Sequence, residues 1–303
     1  MNIISDEQVR SAISMGEAIS VMRDAYTQLG RGDAGILERG RVNHPAGALS
    51  AMGAVLAGAG VSGAKVYATH AGQFDFIIPL FSIHDGRLLG VVQGNAITAL
   101  RTAAVTRIAA DLLAPDGAST LALFGTGIQA KAHLAALMPH SGIRQILVVG
   151  RGEIDHDLLA IRAAFPGIEV DEVSSAHAAE HADILVTATR STTPLFDGAR
   201  LKPGCFVAAI GSSKPDSREI DDATLARARS ILVEWRPQAR LEAGDLLMAA
   251  NGLVDWAEVL ELGELLAGQV SLPEAGDGVR VYKSIGIGLA DVALAEFAFR
   301  KLS

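Results

Sequence analysis

The chain has a single cysteine, Cys205, in 303 residues. A lone thiol excludes an internal disulfide framework and a zinc site built on several thiolates. Aromatic residues are scarce at 5%, whereas glycine occurs 32 times. Small residues let helices and strands approach closely, so this composition suits packed α/β layers better than an all-β sandwich. Basic runs are missing and the net charge is −8, so the electrostatic footprint of a nucleic-acid binder is absent. Nor is there an uncharged apolar stretch of the roughly 18 residues that a membrane span needs. The nearest, residues 97–110, is interrupted by Arg101 and Arg107 and reads as a buried helix. The opening residues MNIISDEQVRSAI carry acid where a secretory leader needs basic charge and then an apolar run. A reducing, cytoplasmic setting is therefore expected. His70, His84, His133, His140, His156, His177 and His181 show no metal-ligand spacing, and no metal is expected.

What is present is apolar patterning: half of the residues are hydrophobic, enough for two domains. Ser14-Met-Gly-Glu17 has the form of a capping box. Ile19, Met22, Tyr26 and Leu29 follow at helical spacing, which predicts an amphipathic helix ending at Gly30. From Arg41 to Gly90, short apolar runs at 51–56, 63–68, 77–82 and 88–92 predict strands, with Asp85-Gly86 as a hairpin turn. A long helix is predicted over 97–113, closed by Pro115-Asp116-Gly117. Beyond it, nearly continuous apolar runs at 121–124, 146–149, 184–188, 206–210 and 231–233 alternate with helical stretches. Such strands need cover on both faces, which points to a parallel, doubly wound sheet. A final apolar helix over 290–302 is predicted to return to the N-terminal region. The expected fold is α/β: a Rossmann doubly wound domain over 114–286, and a discontinuous α+β domain over 1–113 completed by 287–303.

Gly125-Thr126-Gly127-Ile128-Gln129-Ala130 follows a predicted strand and opens a predicted helix over 128–137. That is the context in which a GxGxx(G/A) turn binds a dinucleotide. The first glycine permits the tight turn, the second lets the backbone approach a pyrophosphate, and Ala130 allows close helix–strand contact. The helix N-terminus offers free N–H groups and partial positive charge. An ordinary glycine turn is the plain alternative. The second strand ends at Val149-Gly150-Arg151, with no acid until Glu153 to hold a ribose hydroxyl. Arg151 suits a bidentate contact to a 2′-phosphate, so NADPH is the expected cofactor, with NADH second. Arg151 as a solvated loop residue is the alternative.

Three cations lie in apolar surroundings: Arg41 before a predicted strand, Lys65 within Gly63-Ala-Lys-Val-Tyr67, and Arg101 within Thr98-Ala-Leu-Arg101-Thr102. Charges set among Ala, Val and Leu are costly unless paired or used. With no acid nearby in sequence, a bound carboxylate is one partner; a salt bridge to a distant Asp or Glu is the other.

These segments carry a resemblance. Arg41, Gly63-x-Lys65, Thr98-x-x-Arg101-Thr102-Ala-Ala, the Gly125–Ala130 turn, Thr189-Arg190-Ser191, Ala209-Ile-Gly211 with Glu219-Ile-Asp221, and Tyr282-Lys-Ser-Ile-Gly286 run the length of the chain. Together they resemble the ornithine cyclodeaminase/mu-crystallin family. The resemblance implies a substrate-binding and dimerisation domain completed by the C-terminal helix, plus a Rossmann domain, in a homodimer. It also implies that Arg41, Lys65 and Arg101 hold a substrate carboxylate. Thr102, Gly125, Thr126, Gly127, Ile128, Gln129, Thr189 and Ser284 would line the cofactor. One position departs. Cyclodeaminases of the family carry an aspartate two residues after the glycine of the Ala-Ile-Gly segment, and here that position is Ser213. Asp216 stands three residues on, past Pro215, a pattern that looks like the ketimine-reductase branch.

Losing the acid shifts the expected chemistry. Deaminating ornithine needs a carboxylate near the amino groups, whereas serine is no general base near neutral pH. Reducing a preformed cyclic imine asks for a proton at nitrogen, a hydride at carbon and an anchor for the carboxylate. Lys65 is the expected catalytic residue, as anchor and as proton relay, because a buried lysine beside other cations loses basicity. His44 is a second candidate proton source and also reads as a simple turn histidine. Asp291 is placed near the site or in a helix cap or salt bridge. The expected function is NAD(P)H-dependent reduction of 1-pyrroline-2-carboxylate or 1-piperideine-2-carboxylate to L-proline or L-pipecolate, with Arg41, Lys65, Arg101 and Ser213 binding substrate. The alternatives are ornithine cyclodeamination, an alanine- or iminosuccinate-type open-chain dehydrogenase, and a non-enzymatic binder of a small ligand.

Overall fold

Ser14 starts the first long helix as its neighbours require. Its hydroxyl accepts the Glu17 N–H at 3.2 Å, and the Glu17 carboxylate accepts the Ser14 N–H at 3.0 Å. Such a cap contributes about 1 kcal/mol. The helix then buries Ala18, Met22, Ala25 and Tyr26. Each large side chain among them contributes roughly 1.5–3 kcal/mol on burial. It stops at Gly32, which takes φ 80°, not at Gly30. Gly30 serves another purpose: a Cβ there would lie 2.0 Å from the Gly263 carbonyl oxygen.

Residues 2–70, 73–139, 142–274 and 276–303 are described in a computed structural model of the chain; His140 lies outside them. The first elements are β1 (Asn2–Ile4), α1 (Asp6–Ala12), α2 (Met15–Arg31), β2 (Ala34–His44), β3 (Gly47–Leu56) and β4 (Val61–His70). Next come β5 (Gln73–Ser82), β6 (Leu88–Gln93), α3 (Gly94–Leu113), β7 (Thr120–Phe124), α4 (Ile128–Leu137) and β8 (Gln145–Val149). They are followed by α5 (Asp155–Ala164), β9 (Glu169–Glu172), α6 (Ser175–His181), β10 (Ile184–Thr187), β11 (Phe206–Ala209) and α7 (Asp222–Ala226). Last are β12 (Ala228–Val233), α8 (Arg236–Glu242), α9 (Gly244–Leu247), β13 (Leu260–Glu261), α10 (Leu262–Leu266), β14 (Val279–Lys283) and α11 (Gly288–Leu302).

The chain forms two units, the first comprising Met1–Val105, Leu262–Val270 and Gly286–Ser303. Its sheet has the order β1-β6-β5-β4-β3-β2, antiparallel except for β1 with β6. Helix α11 packs on this sheet and on α2. The second unit comprises Thr106–Glu261 and Ser271–Ile285, with an all-parallel sheet in the order β13-β12-β14-β11-β10-β7-β8-β9. From β9 to β11 this is the Rossmann order, reversing between β7 and β10.

The division therefore falls inside α3 rather than after residue 113, and residues 262–270 belong to the first unit. A 20-residue helix, about 30 Å long, is long enough to serve two cores. Residues 262–270 join the first unit because α10 packs against α2 at the Gly30–Gly263 contact. Arg41 does not precede a strand but lies within β2, an edge strand whose residues are mostly exposed. Edge strands carry charge to discourage pairing with other chains, and Glu38, Arg39 and Arg41 erase the alternation that would have marked it.

Candidate active site

Lys65 occupies the middle of β4, opposite Met52 of β3. Its ammonium donates to Asp291 Oδ1 at 2.9 Å and to the Thr98 hydroxyl at 3.3 Å, and lies 4.8 Å from the Phe76 ring centroid. Arg101 of α3 donates from Nε to the same Asp291 oxygen at 3.2 Å. The side chains of Lys65, Arg101 and Asp291 are 3%, 6% and 0% exposed. Burial pushes the Lys65 ammonium down to about 7; Asp291 pulls against that shift, while Arg101 and Arg39 add to it. A lysine that changes charge near neutrality is equipped to hold or to give a proton.

Of the two partners open to the buried cations, the chain supplies its own. The two buried cations meet a carboxylate from the protein itself, Asp291, distant in sequence and placed by the first turn of α11. The innermost arginine of β2 is Arg39, which donates to the Gly286 carbonyl at 2.7 Å and reaches Met52 Sδ at 3.2 Å. Pairing of β2 with β3 shifts between Leu37 and Gly40, and Arg39 lies within that irregularity. Arg41 is exposed, with Nε 3.3 Å from the Ser50 hydroxyl. It shares a cross-strand row with Ser50 and Tyr67, next to the row of Met52 and Lys65. Gly286 takes φ 70°, and a Cβ there would meet the Arg101 guanidinium at 2.7 Å. Glycine alone lets the backbone pass so close. Thr102 is buried and bonds the Thr98 carbonyl at 2.6 Å. His44 is exposed and accepts the Ala46 N–H, the turn role.

In the second unit, Gly125 takes φ 95° after β7, and a Cβ there would lie 2.7 Å from the Ala188 carbonyl oxygen. Gly127 is the N-cap of α4 and brings no side-chain cap to it. A Cβ on Gly127 would meet no protein atom within 4 Å. Behind the turn Ala130 is fully buried, while Ile128 is 78% exposed and Gln129 half-buried. A turn closed by protein on one side and open on the other, ahead of an uncapped ten-residue helix, fits a bound pyrophosphate. The Thr126 hydroxyl bonds Asp157, whose carboxyl is held below the usual range by Lys131 first and then by Thr126. Arg151 is exposed beyond β8.

Three buried acids shape the loops at the carboxyl ends of the parallel strands. Glu219, fully buried, accepts the Thr189 N–H and hydroxyl at 2.9 and 2.6 Å, the Thr187 hydroxyl at 2.8 Å and the Gly211 N–H at 2.7 Å. Asp245 accepts the N–H groups of Glu219 and Ile220 and pairs with Lys283 at 2.7 Å. Burial opposes its ionisation, but Lys283 and those N–H groups hold it below the usual carboxylate range. Lys283 also donates to the Ser212 carbonyl at 2.6 Å, next to half-buried Ser213. Glu234 accepts the Ile285 N–H at 2.9 Å and the Ser284 hydroxyl at 3.4 Å. Asp216 is exposed and accepts from the Ser217 hydroxyl, so it does not stand in for the acid missing at 213. Sequence reasoning gave Glu219 and Lys283 no role and passed over Glu234 and Asp245. Their only signal was charge set beside apolar runs.

A Rossmann sheet opened by this turn defines a dinucleotide-binding protein. Over residues 2–303 the sequence matches the profile of the ornithine cyclodeaminase/mu-crystallin family, and the chain belongs to that family. The ketimine reductase mu-crystallin of Mus musculus is 30% identical over 310 residues, covering 98% of this chain and 96% of that protein. A crystal structure of a probable ornithine cyclodeaminase from Bordetella pertussis Tohama I superposes with a TM-score of 0.97 at 44% identity, covering 100% and 97%. The Thermococcus litoralis Delta(1)-pyrroline-2-carboxylate reductase, solved with NADH and L-proline, superposes at 0.93 with 26% identity, covering 99% and 97%. The protein is an NAD(P)H-dependent oxidoreductase acting on C=N and CH–NH bonds.

Gly127→Ala should leave the melting temperature within about 2 °C, since its Cβ meets no protein atom. It should weaken NAD(P)H binding by about tenfold or more, because the second glycine of such turns admits the pyrophosphate. Unchanged affinity in a fluorescence titration would count against the turn as the cofactor cradle.

Proposed function

We propose that the protein reduces a cyclic ketimine carrying a carboxylate, 1-pyrroline-2-carboxylate or 1-piperideine-2-carboxylate, to L-proline or L-pipecolate, with NADPH as the preferred donor. The observation that carries this reading is the buried cluster of Lys65 and Arg101 on Asp291, combined with a serine at position 213. Lys65 and Arg101, with Arg41 from the exposed edge strand β2, hold the substrate carboxylate. Hydrogen bonds between charged partners contribute roughly 1.5–3 kcal/mol each, enough for a small acid to be fixed in one orientation. Lys65 gives its proton to the ring nitrogen and becomes a neutral amine. When bound, the reduced nicotinamide supplies the hydride. Ser213 offers a hydroxyl to the substrate but no carboxylate to accept a proton from an amino group.

The 44% relative carries a cyclodeaminase name, and deamination is the rival reading. Ser213 argues against it, since releasing ammonia from ornithine calls for an acid–base group at the amines. The cofactor side rests on the Gly125–Gln129 turn with Thr102, Thr189 and Ser284, and on Arg151 for the 2′-phosphate. The second unit offers no acid at the end of β8 to favour a free ribose hydroxyl.

A second copy of the chain completes the picture. Val42, Leu49, Val55 and Ile77 are 71%, 55%, 46% and 47% exposed and share one face of the six-stranded sheet. Apolar patches of this kind mark interfaces, and the reading takes the protein as a homodimer. Among the described residues no helix is long and apolar enough to cross a membrane. The reading takes the cytoplasm as the protein's location, a reducing compartment in which the lone Cys205 stays a free thiol.

Purified protein and NADPH, offered a panel of five- and six-membered cyclic ketimines, should lose absorbance at the nicotinamide band. Ornithine with NAD should release no ammonia, and pyruvate with ammonia should be reduced at least about a hundredfold more slowly than the cyclic acids. Ammonia release from ornithine would transfer the protein to the cyclodeaminases. Arg151→Glu should raise the KM for NADPH by about tenfold or more, the worth of one lost charged contact, and change that for NADH far less. An equal effect on both would remove Arg151 from cofactor selection.

A further inference from the structure

Asp291 has both carboxylate oxygens in a buried place, and one of them accepts hydrogen bonds from both cations. Oδ1 takes Lys65 Nζ at 2.9 Å and Arg101 Nε at 3.2 Å, while Oδ2 is buried without a hydrogen-bond partner. A carboxylate kept only to neutralise an arginine would use the two-pronged geometry in which both oxygens meet the guanidinium. Here the lysine and the arginine share one oxygen instead. Charge on Lys65 therefore depends on how Asp291 is divided between them.

The groups facing Lys65 come from four elements besides its own. Asp291 belongs to α11, Arg101 and the Thr98 hydroxyl to α3, Arg39 to β2, and the Phe76 ring to β5. Tyr67, on the same strand, places its ring centroid 5.9 Å from the ammonium. Among these groups Asp291 alone is negative. Two arginines and burial favour the neutral amine, and the aspartate favours the ammonium.

We propose that Asp291 is a positioning residue that keeps the proton on Lys65 until the imine nitrogen takes it. This rests on the reading of Lys65 as the proton donor of cyclic imine reduction. The balance is simple: one proton leaves the lysine ammonium for the ring nitrogen, one hydride reaches the ring carbon from the nicotinamide, and solvent returns the proton to the lysine. Arg101 cannot take the lysine's part, because its guanidinium does not deprotonate in this range. The division of labour is thus fixed by residue type: Arg101 anchors, Lys65 titrates, and Asp291 sets where.

The sign follows from the direction of each influence. The Lys65 ammonium sits at about 7 instead of its ordinary 10.5, so the donor is present below that pH and lost as pH rises through it. Removing the one group that pulls the value upward moves the loss to lower pH. kcat/KM reports the free enzyme, so its alkaline limb should lie near 7 in the wild type.

The test compares wild type, Asp291→Asn and Asp291→Glu by two measurements. The first is the pH profile of kcat/KM for ketimine reduction. The second is the pH dependence of Lys65 acetylation by acetic anhydride, read by peptide mass spectrometry without substrate. In Asp291→Asn both midpoints should fall by about one pH unit or more, the usual effect of losing an opposite charge in contact. In Asp291→Glu, which restores the charge on a longer arm, the acetylation midpoint should stay close to the wild-type value. Titration of the substrate imine itself is the same in every variant, so it cannot produce the shift. A shifted acetylation midpoint with no turnover of any cyclic ketimine would uphold the role of Asp291 and defeat the substrate reading. An Asp291→Asn midpoint equal to or above the wild type would overturn the proposal. So would an Asp291→Glu midpoint a full unit acid of it, which keeps the test decisive if the asparagine variant does not fold.

Discussion

A lysine ammonium and a guanidinium are held together inside the protein by one aspartate oxygen, and much of the first unit exists to make that tolerable. Burying one ion costs several kcal/mol after relaxation, and burying two like charges costs more unless an anion stands between them. The anion comes from α11, near the opposite end of the chain from Lys65. That explains why the C-terminal helix belongs to the unit begun by the N-terminal residues: without it the two cations lose their shared partner. It also explains Gly286, whose missing side chain lets the strand-to-helix turn cross the face of Arg101. Stability and chemistry meet at this point, because the same burial that makes the cluster costly brings Lys65 into the range where it exchanges a proton.

The second unit solves a different problem in a related way. Its parallel sheet ends in loops that must keep a fixed shape without regular secondary structure. Glu219 gathers donors from the loops after β10 and β11, Asp245 takes two backbone N–H groups and Lys283, and Glu234 ties down the end of β14. Each carboxylate replaces the backbone hydrogen bonds those loops lack, and an unsatisfied buried polar group costs about 1–3 kcal/mol. Removing one partner of the buried Lys283–Asp245 pair would cost about 3–5 kcal/mol, since the remaining charge would be left in the core. The glycine turn after β7 leads into a helix with no side-chain cap, whereas α6 and α7 are capped by Ser174 and Asp221.

Local signals were legible where one residue acts on its near neighbours. The capping box at Ser14, the strand–turn–helix around Gly125 and the parallel runs of the Rossmann sheet all appear where the sequence pointed. Reading failed where geometry depends on distant chain. Gly30 looked like a helix stop, yet the true stop is Gly32, because Gly30 is reserved for contact with Gly263. Arg41 was expected ahead of a strand, but it lies exposed within β2, where an irregular register turns Arg39 inward instead. β14 went unnoticed because Arg280 and Lys283 break its apolar run, and Lys283 is buried only because Asp245 waits for it. Asp291 was visible as an acid in an apolar helix, but its partners lie 226 and 190 residues away.

The account stands on the buried cations recognising a carboxyl group. The direct measurement is calorimetric binding of pyrrole-2-carboxylate and of its uncharged carboxamide, a pair of planar rings alike in shape, to the NADPH-loaded wild type and to Lys65→Ala. Two charge-assisted hydrogen bonds are the difference, so the acid should bind the wild type about a hundredfold more tightly than the amide, and the preference should fall to about tenfold in the variant, which keeps Arg101. Equal affinity of acid and amide for the wild type would contradict the account.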